Sequence, residues 1–174
     1  AMVNCEGENV QAGDYVIQRY FVRRANTTDA DVTNYGLACD ANTPTATGTT
    51  PVATPTTISG FGGAGELIMP RVDHFTVQLG VRNAAGNMAY YTINQYRAVA
   101  AAARTSGTEP PRIVSVKTAV LVRSTDDTRS NDIDLTGSIN ILNQSVTLTN
   151  TTNKYARRVY STTATFRNGL GEGS

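Results

Sequence analysis

The residues that could do chemistry in this chain are few: one histidine, His74, aspartates at Asp126, Asp127, Asp132 and Asp134, cysteines at Cys5 and Cys39, and a glycine run GFGGAG at 60–65. General acid–base catalysis needs a group that titrates near neutrality. A lone histidine on the polar face of a strand, with no nucleophile ordered around it, gives no triad, so no catalytic residue is assigned and His74 is expected at the surface. The aspartates are hard oxygen donors of the kind calcium takes, but they lack the spaced loop and glycine hinge of an EF-type site. A solvated acidic loop is expected there, and no metal is assigned. GFGGAG has the letters of a dinucleotide fingerprint, which holds a pyrophosphate only between a strand and a helix N-terminus. Its approach is Pro/Thr-rich and Pro70 interrupts the stretch after it, so a flexible glycine turn and no cofactor are expected.

Cys5 and Cys39 have no CxxC spacing and no histidine-rich companion, which leaves a zinc site short of ligands. A disulfide is the expectation, and with it maturation in an oxidising space such as a periplasm or the cell exterior.

Fifteen basic and fourteen acidic residues leave a net charge of +1. That balance makes no long-range field for a polyanion, so nucleic acid is not implied. No apolar run reaches the length of a membrane-spanning helix. Tyr15, Tyr20, Tyr90, Tyr91, Tyr96, Tyr155 and Tyr160 supply amphipathic area suited to protein contacts.

The elements that must position these residues are mostly strands. Residues 14–23, DYVIQRYFVR, predict one, with 35–39, YGLAC, as a short returning partner. Residues 40–65 form a long loop rich in proline, threonine and glycine, with too little apolar surface in 40–59 to offset its ordering entropy. Residues 66–81 alternate as one half-buried strand: Asp73, Phe75, Val77, Leu79 and Val81 share a face, and His74, Thr76, Gln78 and Gly80 lie opposite. A turn at 82–87 leads into a strand at 88–93. Thr92 and Gln95 have capping-box spacing before QYRAVAAAAR, the one predicted helix, whose alanine face is expected to pack on a sheet.

Residues 113–123 are the strongest strand, with Val114, Val116, Thr118, Val120 and Val122 on one face, and are expected to be central in the sheet. Val120→Asp, which would bury a charge in that strand, is accordingly expected to destabilise the fold by several kcal/mol. Residues 139–148 predict a weaker strand or hairpin, and 154–167 a final strand pairing with 113–123. The fold class expected is α+β, mostly β: an antiparallel sheet with one short helix, as a single domain over residues 1–174.

Three blocks, ELIMPRVDHFTVQLGV, IVSVKTAVLVRS and ARRVYSTTATFRNGL, resemble the minor pilins of type IV pili of the PilW class, relatives of the J-type minor pseudopilins of type II secretion. The last block is the most specific, through Arg157, Arg158, Ser161, Thr162, Thr163, Arg167 and Asn168. The resemblance implies a structural role and no enzyme: a pilin-like ectodomain that assembles with other minor pilins and a tip adhesin, primes pilus extension near the tip, and supports twitching motility, adhesion or DNA uptake. It further implies a pilus or cell-surface location, reached from the inner membrane with the domain in the periplasm. The apolar N-terminal pilin helix of that family is absent from this chain, and membrane contact would come only through it. A type II secretion pseudopilin, and a secreted adhesin or ligand-binding β-domain, are the alternatives.

Overall fold

The computed structural model describes residues 2–28, 33–46, 53–133, 137–148 and 152–166. The chain divides into two compact units, Ala1–Asp73 and His74–Ser174. Its elements are β1 (Met2–Val3), β2 (Asn9–Val10), β3 (Asp14–Tyr15), β4 (Gln18–Arg24), β5 (Tyr35–Ala41), β6 (Thr45–Ala46), β7 (Glu66–Pro70), β8 (Val72–Arg82), β9 (Met88–Thr92), α1 (Ile93–Thr105), β10 (Arg112–Arg123), β11 (Ser138–Ile141), β12 (Gln144–Thr147) and β13 (Arg157–Thr165). Strands predominate, one helix is present among the described residues, and the assigned strand pairings are antiparallel, as the α+β, mostly β, reading requires.

In the first unit, β4, β5 and β7 form a three-stranded sheet with β5 in the middle. Being flanked on both sides, β5 is enclosed from Gly36 to Ala41, and Ala38 and Cys39 are fully buried. The short returning strand expected at 35–39 is therefore longer, Tyr35–Ala41, and more central than its five residues suggested. The expected exposed loop from residue 40 begins later, because Asp40, Ala41 and Asn42 are buried, and Thr45–Ala46 pairs with Asp14–Tyr15 as a further two-residue ladder. The predicted strand over 14–23 is divided into β3 and β4 by Val16 and Ile17, where the Ile17 amide turns to Asn42.

The predicted strand over 66–81 is also two strands. Arg71 stands between β7 and β8 with φ 60°, a left-handed conformation that breaks the extended run.

The second unit is built on a four-stranded sheet in the order β13-β10-β8-β9. β10 is internal, as expected, and pairs with β13 through nine consecutive positions from Ser115↔Thr165 to Arg123↔Arg157. The β11–β12 hairpin turns through Leu142 (φ 48°) and Asn143 (φ 61°), two left-handed residues that match the primed turn of a two-residue loop. Ile141 and Leu148 join Ala119 and Leu121 of β10 as the buried core, with Ile139, Leu142 and Val146 packed against them.

This core lies on the face of β10 that the β-branched pattern did not favour. Beyond Val114, the enclosed positions are Ser115, Ala119, Leu121 and Arg123, whereas Val116, Thr118, Val120 and Val122 are half-buried. β8 behaves likewise over most of its length: Thr76, Gln78 and Gly80 are buried, while of the expected apolar face Phe75, Val77 and Leu79 are only half-buried and Val81 is buried. Gln78 donates to Leu142 O at 2.7 Å, so the hairpin covers the polar face of β8 and satisfies it. Gly80 is needed on this face, since a Cβ there would overlap Ser115 Oγ.

Thr92 caps α1 as expected: its side chain accepts from the Gln95 amide, and Gln95 accepts from the Thr92 amide at 2.9 Å. Beyond the helix, Gly107 has φ 69°. The expected packing of the alanine face is limited to Ala100, the one buried residue of the helix, with Tyr96 and Ala103 half-buried on the same side. Ala98, Ala101 and Ala102 are exposed. A run of alanines lengthens a helix without supplying the apolar area that would bury it.

Candidate assembly surface

β13 carries most of the C-terminal signature. Antiparallel pairing with β10 fixes it in register, and strand alternation sends Arg157, Val159, Ser161, Thr163 and Thr165 to one face and Arg158, Tyr160, Thr162 and Ala164 to the other. From Arg158 to Thr165 every residue is exposed, including Val159 at 37 % and Tyr160 at 53 %. Phe166 follows, 45 % exposed. A strand with both faces open to solvent is enclosed only when something else covers it.

The two arginines do not form one basic patch. Arg157 is half-buried and donates to Tyr155 O at 3.4 Å, while Arg158 extends its guanidinium over the Tyr160 ring, 5.9 Å from the centroid. Ser161, Thr162 and Thr163 lie at mid-strand with exposed hydroxyls. Arg167 and Asn168 lie outside the described residues.

In the first unit the glycine run is held by charge. Asp40 Oδ2 accepts from the Gly62 amide at 2.9 Å and from Arg19 Nε at 2.7 Å. Arg19 also donates to Gly63 O at 2.6 Å and lies over the Phe21 and Phe61 rings at 4.6 and 5.4 Å. Arg23 donates to Gly65 O at 3.0 Å. The expected flexible turn is thus a tied one, and its amides face an anion that the chain itself provides, the Asp40 carboxylate. Beside it, fully buried Asn42 accepts from the Ile17 amide at 2.6 Å and donates to Tyr15 O and Thr43 O at 3.2 and 2.8 Å.

The hydrogen bond from Gly62 holds the Asp40 carboxyl below its ordinary range; burial opposes the shift and the Arg19 guanidinium reinforces it. A carboxylate depressed in the folded state contributes stability above its unfolded pKa of about 3.9, and that contribution is lost as pH falls through the folded value. Protection of the Gly62 amide, measured against its intrinsic exchange rate, is therefore expected to hold through mildly acid pH and to fall only once the pH drops below the ordinary carboxylate range. Asp40→Asn should remove that transition, which an NMR exchange series would show.

Gly65 has φ 61°, and a Cβ there would overlap the carbonyl of Cys39. Gly65→Ala must either strain the backbone or lift the loop from β5, and is expected to cost about 2–3 kcal/mol in urea unfolding.

Cys5 and Cys39 are joined in a disulfide, with Cα atoms 6.1 Å apart. Next to it Glu6 accepts from the Ala41 amide at 2.9 Å, and Asn4 Oδ1 accepts from the amides of Glu6 and Glu8 at 3.0 and 2.9 Å, so the N-terminal turn is folded onto the end of β5.

His74 is half-buried, not at the surface as the alternation suggested. Its Nε2 is buried with no hydrogen-bond partner among the described residues, and burial pushes its pKa down. Asp126, Asp127 and Asp132 are exposed, with Asp127 accepting from the Arg129 amide at 2.8 Å and Asp132 from Ser130 Oγ at 3.4 Å. Asp134 lies outside the described residues.

The Asp40–Asn42 network has no counterpart among the sequence-based expectations. Its one available signal was an acid directly after Cys39, in a chain whose glycine run had the letters of an anion-binding turn.

The sequence profile of a family described as Type IV Pilus-assembly protein W matches residues 19–168. No curated protein and no solved structure matches the chain.

Proposed function

The chain belongs to the type IV pilus-assembly protein W family, and on that premise we propose that it is a structural minor pilin that co-assembles with other minor pilins to prime pilus extension. The matched region reaches from β4 through the whole of β13, so both units described above contribute to it. That coverage is the observation that carries the proposal. In this reading the chain works through its surfaces, near the pilus tip and with a tip adhesin among its partners, in support of twitching motility, adhesion or DNA uptake. The exposed signature strand, with Arg157, Arg158, Ser161, Thr162 and Thr163, is the surface assigned to assembly. Among the described residues no helix is long and apolar enough to cross a membrane; in this reading membrane contact would come through a pilin helix.

The experiment is a gene deletion with complementation, read as surface pili, together with co-purification of the chain and the other minor pilins of the same cell. Loss of pili on deletion and recovery of a multi-pilin complex are expected. Normal piliation without the gene, and failure of every mixture to associate, would overturn the reading.

A further inference from the structure

The direction of the backbone groups of β13 can be read from the two hydrogen bonds that close its ladder. The Phe166 amide donates to Val114 O at 2.9 Å, and the Ser124 amide donates to Ala156 O at 2.8 Å. The register between them has no shift, so the even-numbered residues turn their N–H and C=O toward β10. Arg157, Val159, Ser161, Thr163 and Thr165 turn theirs the other way, and among the described residues no strand lies beyond them.

Sheet edges are ordinarily made short, bulged, or interrupted by proline or lysine. β9, at the opposite edge, is only Met88–Thr92 and runs directly into α1. β13 has nine residues, no bulge and no proline, and its only charges stand together at one end.

We propose that this edge pairs with the same edge of a second copy of the chain, antiparallel about a two-fold axis through Ser161. Ser161 is both the midpoint of Arg157–Thr165 and one of the outward-turned residues, so the five outward residues map onto one another when the strand is reversed. Val159 then faces Thr163 of the other copy, and Tyr160 faces Thr162, which are β-branched and aromatic pairs that favour strand pairing. Arg157 faces Thr165 and Arg158 faces Ala164, so no like charges meet. Parallel pairing in register would instead stack each arginine on its own copy, and that repulsion selects the antiparallel arrangement. A symmetric contact of this kind closes on itself as a dimer, with one continuous sheet of eight strands from the two copies of the four described. The dimer does not depend on the pilus reading, and either can fail without the other.

The test is sedimentation equilibrium of the chain from micromolar to millimolar concentration, with three variants. The wild type should shift reversibly from monomer to dimer mass. Ser161→Pro removes an outward N–H and leaves the bonds to β10 in place, a position where an edge strand tolerates proline. It should keep the native circular dichroism and melting temperature and stay monomeric. Ser161→Cys should form a disulfide-linked dimer on mild oxidation, because facing Cα atoms in a hydrogen-bonded pair lie about 5.5 Å apart, within disulfide span. Thr163→Cys, which faces Val159 of the other copy, should not. A wild type that stays monomeric at millimolar concentration overturns the proposal, as does a dimer that persists unchanged in a folded Ser161→Pro, or cross-linking no faster through Ser161→Cys than through Thr163→Cys.

Discussion

Leu121→Asp is expected to cost about 4 kcal/mol or more in the second unit, a large fraction of the roughly 5–15 kcal/mol that holds a typical domain folded. Leu121 is 1 % exposed and packs with Ala119, Ile141 and Leu148 beneath the β11–β12 hairpin. An aspartate there would have apolar neighbours on every side that the hairpin closes, so it must either be protonated at a cost or pry the hairpin away. Leu121→Ala, which removes volume without adding polarity, should cost about 2–5 kcal/mol. Val120→Asp is the discriminating partner. Val120 is half-buried on the other face, where a carboxylate retains contact with water, so its cost should be clearly the smaller. Urea unfolding of the three variants side by side measures the order, and a Val120→Asp effect equal to that of Leu121→Asp would mean that the core lies on the valine face.

Removing the Cys5–Cys39 bridge is the second large effect. The bond closes a separation of 34 residues, for which the chain-entropy account gives about 4 kcal/mol. Cys39 is fully buried in the central strand β5, so Cys39→Ser would add an unsatisfied hydroxyl to the loss of the cross-link. The cleaner variant replaces both cysteines by alanine. It is expected to lower the stability of the first unit by about 3–4 kcal/mol, somewhat under the entropic value, because the contacts of Asn4 and Glu6 still favour the closed loop. Denaturant titration followed by amide exchange in β4 and β5 reports it directly. A loss below about 1 kcal/mol would show that those hydrogen bonds alone hold the N-terminal turn in place.

Periodicity locates the elements well and the buried faces poorly, for a physical reason. The alternation of valines in β10 marks a strand because β-branched side chains fit a pleated backbone, and that preference is indifferent to which face is covered. Cover comes from the 138–148 hairpin, whose apolar residues lack clean alternation and whose position over β8 and β10 is a tertiary fact. The polar face of β8 misleads for the same reason: Gln78 is buried because Leu142 O receives its amide, a partner 64 positions away in the chain. The capping box of α1, by contrast, is complete within four residues and is fully legible.

The candidate surface is legible in part. β13 and its pairing with β10 follow from two runs of β-favouring residues, whereas its exposure does not, since a hydroxyl-rich strand can equally line a wet interior. The glycine run is visible by its letters but not in its mechanics. Its composition suggests flexibility, while the loop is in fact restrained by Arg19, Arg23 and Asp40, residues that come 20 or more positions before it.

The antiparallel ladder between β10 and β13 also determines how this part of the molecule would carry a pull. Its hydrogen bonds run across the strands, and Thr165 sits opposite Ser115 at one end while Arg157 sits opposite Arg123 at the other. Tension applied between residues 115 and 165 would peel the rungs apart in succession, each bearing the load alone. Tension between 123 and 165 enters at opposite ends and strains all the rungs together, so the sheet should yield at a much higher force along that line. The same nine pairs are thus a zipper in one direction of loading and a splice in the other.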